Sequence, residues 1–341
     1  MNRRGFLTGL ATGTSAVMAG KALAGNSQTS VTPSDALGQL LPQRRLGRTN
    51  ERVTMLGIGG FHVGWTSERD AQEVIEASLE GGIRFFDTAH AYQKGESERR
   101  YGKYLIPKYR DHVFLMTKTG AKDAKTAREQ FELSLKRMGT DHVDLLQMHS
   151  LRNPEDSNTR IDEGVLDVLL AAKESGKARY IGFTGHSNPE AHLRMLELTE
   201  SSDPFDTCQM PVNAIDPSFH SFTDKVTPVL QRRDIGLLAM KTLADGRFFG
   251  LKSTPQRGVV WRSDDPAVPN RVSIRDALHF AWALPVSVLI TGAENASLVR
   301  EKVDMAKTFV GMPEADRLEL VRRLADLADG KVEYYKRPIE S

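Results

Sequence analysis

Cysteine is nearly absent from this 341-residue chain. Cys208 stands alone, so no intramolecular disulfide can brace the fold and a thiolate metal cluster is excluded. Histidines do not cluster at metal-ligand spacing, and no metal site is expected. Charge of one sign is also lacking: the formal net charge is +2, with basic and acidic residues interspersed. No electrostatic footprint for nucleic acid stands out, and a small neutral or mildly charged partner is expected instead. No apolar run is long enough for stable membrane insertion. A glycine-rich dinucleotide loop is missing as well. Gly57, Gly59 and Gly60 come close, but Phe61, His62 and Val63 follow where a phosphate-cradling helix should begin, so the segment reads as a tight turn.

What is there begins with a distinctive N-terminus. Asn2, Arg3, Arg4, Gly5, Phe6 and Leu7 precede a mildly apolar run through Val17, Met18 and Ala19, and small residues follow at Ala22, Leu23 and Ala24. The order resembles a twin-arginine export signal with cleavage after Ala24. It implies a periplasmic or otherwise exported protein that engages the twin-arginine machinery already folded. Removing residues 1–24 takes away Arg3, Arg4 and Lys21 and no acid, which changes the formal charge from +2 to −1. Residues 25–43, rich in Ser, Thr, Gln and Pro, read as a linker, and residues 44–341 as one domain.

From Arg44 onward, β-like runs alternate with amphipathic helical patterns, the order of a parallel sheet with helices outside it. Residues 45–47 and 53–55 form a candidate hairpin plugging one end. Eight strands are expected at Met55–Gly59, Arg84–Thr88, Val113–Lys118, His142–His149, Ala178–Thr184, Thr207–Val212, Gly236–Lys241 and Val286–Thr291. Between them, sets such as Val74, Ile75, Ser78 and Leu79, or Ala127, Phe131, Leu135 and Met138, put small or apolar groups on one helical face. Eight β/α pairs in about 250 residues predict an α/β fold of the (β/α)8 TIM-barrel type. A long insertion over Leu243–Val272 and a C-terminal helix over Glu314–Ala328 lie outside the repeat.

The C-terminal ends of barrel strands carry the active site in this architecture. Here strand two leads through Asp87 to Tyr92, strand three reaches Lys118 and strand four reaches His149. An acid, a phenol, an amine and an imidazole thus converge on one barrel mouth. Singly, each has a structural reading: a buried ion pair, a rim aromatic, a core histidine. Together they form a proton-transfer set. Reducing a carbonyl makes an alkoxide that needs a proton. A phenol of ordinary pKa about 10 becomes a better acid beside an ammonium, and an imidazole N–H can stabilise the oxyanion.

These four residues, with Gly95, Glu96, Ser97 and Glu98 after the tyrosine and Ile181 and Gly182 on strand five, resemble the tetrad and surroundings of the aldo-keto reductases. The resemblance runs over roughly Arg44 to Phe309. It implies hydride transfer between a nicotinamide cofactor, NADP(H) ahead of NAD(H), and a carbonyl or alcohol. Tyr92 would be the general acid/base, Asp87 and Lys118 its tuners, and His149 the group that orients the carbonyl oxygen. It implies cofactor contacts at Thr184, His186, Gln209, Met240, Lys241, Thr242, Gly292, Asn295, Arg300, Glu301 and Lys302. The chain departs from the family in three places, the first after strand seven, where Met240, Lys241 and Thr242 stand in place of the usual nicotinamide-stacking aromatic and Ser-Pro-Leu-like turn. Gly185 stands where the family has a carboxamide-binding Asn, leaving His186 or Asn188 to fill in, and Leu298 falls where many members carry a basic 2'-phosphate contact. His62 and His90 are candidate pocket-lining residues, and Phe248, Phe249 and Trp261 in the insertion are candidates to cover the pocket. Two other readings exist: a non-catalytic nicotinamide-binding regulatory barrel, and a hydrolase pairing Asp87 with Glu96 or Asp216.

Overall fold

In the computed structural model, the described residues are 33–246, 248, 268, 271–328, 330 and 332–336. The expected export signal, Phe249 and Trp261 lie outside them. The chain enters through two antiparallel pairs, β1 (Ser34–Asp35) with β2 (Gly38–Gln39) and β3 (Gln43–Arg45) with β4 (Arg52–Thr54). Eight parallel strands follow: β5 (Leu56–Gly59), β6 (Phe85–Asp87), β7 (Phe114–Thr119), β8 (Val143–Leu151), β9 (Ala178–Gly185), β10 (Thr207–Pro211), β11 (Gly236–Met240) and β12 (Val288–Thr291). They close in chain order, β12 pairing with β5.

The helices are α1 (Gly60–Trp65), α2 (Glu68–Glu80), α3 (Glu96–Tyr104), α4 (Ile106–Tyr109), α5 (Ala124–Met138), α6 (Pro154–Asp162), α7 (Val165–Glu174), α8 (Pro189–Leu198), α9 (Phe222–Arg232), α10 (Ile274–Trp282), α11 (Ala296–Lys307) and α12 (Glu314–Leu324). Their ends carry capping residues. Asp123 caps α5 by accepting from Thr126 N at 2.8 Å, and Gly139 closes it in the left-handed conformation. Ser273 and Asp276 form a reciprocal capping box on α10.

Alternation along each strand builds two cores. Outward-facing residues such as Leu115, Leu146, Cys208 and Met210 pack with helix residues Val74, Phe131 and Val226. Inward-facing Phe85, Phe114, Met116, Leu145, Leu238, Val288 and Ile290 fill the barrel with Leu46 and Val53 from the β3–β4 hairpin. The expected plug is therefore in place, and full burial of Leu46 alone is worth roughly 2 kcal/mol.

Two local expectations differ from the structure. Within the stretch read as linker, 33–43 is folded. Leu41 is fully buried, and Arg84 donates to both carboxylate oxygens of Asp35 at 2.7 and 2.9 Å. Polar composition concealed one apolar anchor and one ion pair. The segment after β5 is not a bare turn but the short helix α1. It starts at Gly60, where a Cβ would overlap the Asp87 carbonyl oxygen.

Candidate active site

The same alternation that points Phe85, Met116 and Leu145 into the barrel points Asp87 and Lys118, each two residues on, and His149, four residues on, into its C-terminal mouth. His149 lies where the β8–β9 register shifts between Met148 and Leu151, beside Ser150 at φ 65°. Irregularities of this kind re-aim a side chain at a barrel rim. Tyr92 arrives from the segment after β6.

Lys118 is the hub. Its side chain is 1% exposed. Nζ donates to Asp87 Oδ1 and, at 2.8 Å, to the Thr88 carbonyl, and it lies 3.2 Å from the Tyr92 hydroxyl. Three acceptors around one nitrogen match an ammonium's three donors. Burial pushes the Asp87 carboxyl up, against Lys118 and the Gln209 amide, which pull it down. Burial likewise pushes Lys118 down, against the carboxylates of Asp87 and Glu98. The His149 ring stands edge-on to Tyr92, centroids 5.7 Å apart at 82°. Burial, followed by the charges of Lys118, His186, Arg160 and Lys241, holds His149 well below the usual histidine range. At neutral pH it is an uncharged imidazole, able to donate one N–H while leaving Lys118 its charge.

The four residues open on a cavity of about 380 Å³. Thr184, His186, Gln209, Met240, Lys241, Thr242, Gly292 and Lys302 share its wall. Two buried wall atoms, Gln209 Oε1 and Thr242 Oγ1, have no hydrogen-bond partner among the described residues. Buried polar atoms rarely go unpaired, because desolvation then goes uncompensated; both residues belong to the cavity wall. Gly292 leaves room for His62, since a Cβ there would overlap the His62 ring. Lys302, buried, donates to Thr291 Oγ1 at 2.9 Å and to the Gly292 carbonyl at 2.6 Å, and burial lowers its pKa to about 8. This wall fits a nicotinamide dinucleotide: amide and hydroxyl groups for polar contacts, lysines for phosphate, and a glycine where the chain must pass closely.

Three of the residues expected at the cofactor stand apart from the cavity wall. Asn295 caps α11, accepting from Leu298 N at 3.1 Å. Arg300 reaches Glu80 at 3.7 Å on the surface, and Glu301 is exposed. Leu298 does line the cavity. Of the two stand-ins for the missing Asn, His186 faces the cavity, whereas Asn188 caps α8. His62 lines the cavity and His90 does not. Asp216, the carboxylate of the hydrolase reading, is tied to Lys336 at 2.7 Å, and Glu96 pairs with Arg99 and Arg100.

Sequence reasoning missed the C-terminal segment. Tyr335 lies edge-on to His186 with centroids 5.9 Å apart and beneath Lys241 Nζ at 5.4 Å. No pattern around residue 335 signals this. Phe61 was detectable, since it follows Gly59 at the end of β5 and Gly60 at the start of α1, and it packs on Tyr92 at 5.6 Å.

A closed eight-stranded parallel barrel with a buried acid–amine pair and a phenol at its C-terminal mouth defines a (β/α)8 protein of the oxidoreductase type. The profile of the aldo/keto reductase family matches residues 55–310, and the chain belongs to that family. It is 33% identical over 205 residues to aldo-keto reductase YhdN of Bacillus subtilis (strain 168), covering 57% of this chain and 58% of that protein. It is 29% identical over 237 residues to L-glyceraldehyde 3-phosphate reductase of Escherichia coli (strain K12), covering 62% of this chain and 65% of that protein. The chain thus spans under two thirds of the length of these two relatives. The fold is similar to that of the solved holo form of aldo-keto reductase AKR11C1 from Bacillus halodurans, with a TM-score of 0.66 and 22% identity, covering 85% of this chain and 97% of that one.

Proposed function

We propose that this protein catalyses NADP(H)-linked reduction of a small carbonyl compound, and the reverse oxidation of the alcohol, with Tyr92 as proton donor and acceptor. One observation carries the reading: the buried Lys118 ammonium, held by Asp87 and the Thr88 carbonyl, presents its remaining face to the Tyr92 hydroxyl at 3.2 Å. The bound cofactor would supply a hydride to the carbonyl carbon. As the carbonyl oxygen gains charge, Tyr92 gives it a proton, and Lys118 stabilises the phenolate left behind. Asp87 keeps Lys118 charged and aimed. The uncharged His149 ring offers an N–H that orients the carbonyl oxygen. In the oxidative direction, the Tyr92 phenolate takes the proton back.

Gln209, Thr184 and His186 would hold the nicotinamide end, Met240 would lie against its ring, and Lys241 and Thr242 would meet the pyrophosphate beside Gly292. NADP(H) is favoured over NAD(H) because Lys302, a buried cation on the cavity wall, bonds neutral oxygens in the hydrogen bonds it makes to Thr291 and Gly292. With a pKa of about 8, it carries charge below that pH, so affinity for the phosphorylated cofactor should weaken as pH rises through 8. Lys302→Met should lower NADPH affinity at least about 10-fold while changing NADH affinity little.

The test of the reaction is Tyr92→Phe, read by 340 nm absorbance on a panel of aldehydes and ketones. We expect kcat to fall about 10²- to 10⁴-fold with NADPH binding preserved; unchanged kcat would overturn the assignment. Export is part of the proposal. The twin-arginine signal would carry the folded protein, cleaved after Ala24, with its cofactor aboard, because free NADPH is scarce outside the cytoplasm. Mass spectrometry of the protein and of nucleotide released from a periplasmic fraction tests both points.

A further inference from the structure

Tyr92 sits on an awkward piece of chain. Gln93, Lys94 and Gly95, the three residues after it, all have positive φ, at 46°, 55° and 87°. Two of them are not glycine, so something outside the segment must hold it there. The reach of Arg137 from α5 supplies the hold. Its Nη1 donates to the His90 carbonyl at 3.2 Å, just before Tyr92, and its guanidinium lies so close over Gly95, just after Tyr92, that a Cβ there would overlap it. The same nitrogen donates at 3.0 Å to Glu98, a fully buried carboxylate on α3. The other Glu98 oxygen accepts from the Thr117 hydroxyl at 2.8 Å, one residue before Lys118. The His90 N–H in turn donates to the Lys118 carbonyl at 3.1 Å.

An ion pair of this kind, with Glu98 enclosed and Arg137 partly buried, is a weak source of stability, since apolar residues of similar volume usually serve as well. What it gives here is geometry. It joins α3, α5, β7 and the Tyr92 segment at one point behind the Lys118–Tyr92 contact. We propose that Glu98 and Arg137 are positioning residues for proton transfer: a buried clamp that fixes the Tyr92 hydroxyl on Lys118 from behind. The proposal rests on the reading of Tyr92 as proton donor and extends it to two residues that touch neither cavity nor cofactor.

The groups facing Lys118 are Asp87 from β6, Tyr92 from the segment after it, Glu98 from α3 and His149 from β8. Of the carboxylates among them, Glu98 lies outside the cavity wall. Its charge stabilises the Lys118 ammonium, in the same sense as that of Asp87.

The experiment is steady-state reduction of 4-nitrobenzaldehyde by NADPH from pH 5 to 10, with the full-length protein and its Tyr92→Phe, Arg137→Met, Arg137→Lys and Glu98→Gln variants. Displacing the hydroxyl by a fraction of an ångström predicts that Arg137→Met loses about 10- to 100-fold in kcat. KM for the aldehyde and Kd for NADPH should stay within about two-fold, because the clamp lies behind the pocket. Arg137→Lys, which keeps the charge but not the fork, recovers part of the rate. Glu98→Gln moves the alkaline limb of kcat to lower pH by about half a unit or more, since the ammonium has lost a stabilising neighbour. A purely structural role would lower the melting temperature without moving that limb. If Arg137→Met does not fold, the two milder changes, Arg137→Lys and Glu98→Gln, decide the matter. An active wild type with a dead Tyr92→Phe, but with Arg137 variants at full kcat and an unmoved limb in Glu98→Gln, overturns the clamp alone. A wild type without NADPH-dependent turnover, equal to Tyr92→Phe, overturns the parent reading and the clamp together.

Discussion

Replacing Lys118 by methionine separates what the Asp87–Lys118 pair does for stability from what it does for chemistry. The pair is enclosed, with side-chain exposures of 1% for Lys118 and 3% for Asp87. Methionine fills a similar volume but strands the carboxylate, and breaking a buried pair in this way costs about 3–5 kcal/mol. With an unfolding entropy of roughly 2 cal/mol/K per residue over about 300 folded residues, 4 kcal/mol lowers the melting temperature by about 7 °C. The penalty must depend on pH. Burial already raises the Asp87 carboxyl, and loss of the ammonium raises it further. A carboxyl whose folded pKa exceeds its unfolded value keeps its contribution to stability at low pH and loses it as pH rises through the folded value. Lys118→Met should therefore lie nearer wild type at acid pH than at alkaline pH. Asp87→Asn/Lys118→Met removes the stranded charge and should regain most of the loss, while both variants keep no more than about 1% of wild-type carbonyl reduction. Thermal denaturation between pH 5 and 8 provides the measurement. Equal melting temperatures for the single and double variants, or a penalty flat across that range, would refute the reasoning.

The cavity wall and the core make two further predictions. Gly292→Ala should drive the His62 ring toward the cavity and weaken NADPH binding at least about 10-fold, or ~1.4 kcal/mol, as read by fluorescence titration. Trimming the ring in His62→Ala/Gly292→Ala should restore affinity, and wild-type binding by the single variant would show that the overlap is relieved elsewhere. His192 is fully buried, and burial lowers its pKa from 6.5 to about 4. Because the folded pKa lies below the unfolded one, acid protonates the unfolded chain first, and about 3 kcal/mol of stability is lost as pH falls from 6.5 to 4. Urea unfolding at pH 7 and 4.5 should show a smaller acid loss for His192→Gln; the same loss as wild type would exclude this residue as its source.

The eight barrel strands were readable because each is a short apolar run bounded by turn residues, and none needs a distant partner to be recognised. Convergence of Asp87, Lys118 and His149 on one mouth was readable for a related reason: strand direction and the two-residue alternation dictate where a residue at a strand end points. Tyr92 could be associated with them only by its spacing from Asp87. Residues that met different fates had the same local appearance. Asn188 and Asn295 looked like ligand contacts, yet each sits one residue before a helix and accepts from one N–H of its first turn. Arg300 and Glu301 share α11 with Lys302, but helical geometry turns only Lys302 inward.

Short-range rules in the amino-acid order thus determined the number of strands, their direction, the plugging hairpin and the polar residues at the strand ends, because period and capping act over a few residues. Tertiary structure alone decided the rest. Arg84 found Asp35 49 residues away, and Arg137 found the His90 carbonyl 47 residues away. Lys336 found Asp216 120 residues away, in the same C-terminal segment that brings Tyr335 against Lys241 and His186. Buried charges choose partners by which desolvated groups the closed barrel brings within reach, and separation along the chain carries no trace of that choice.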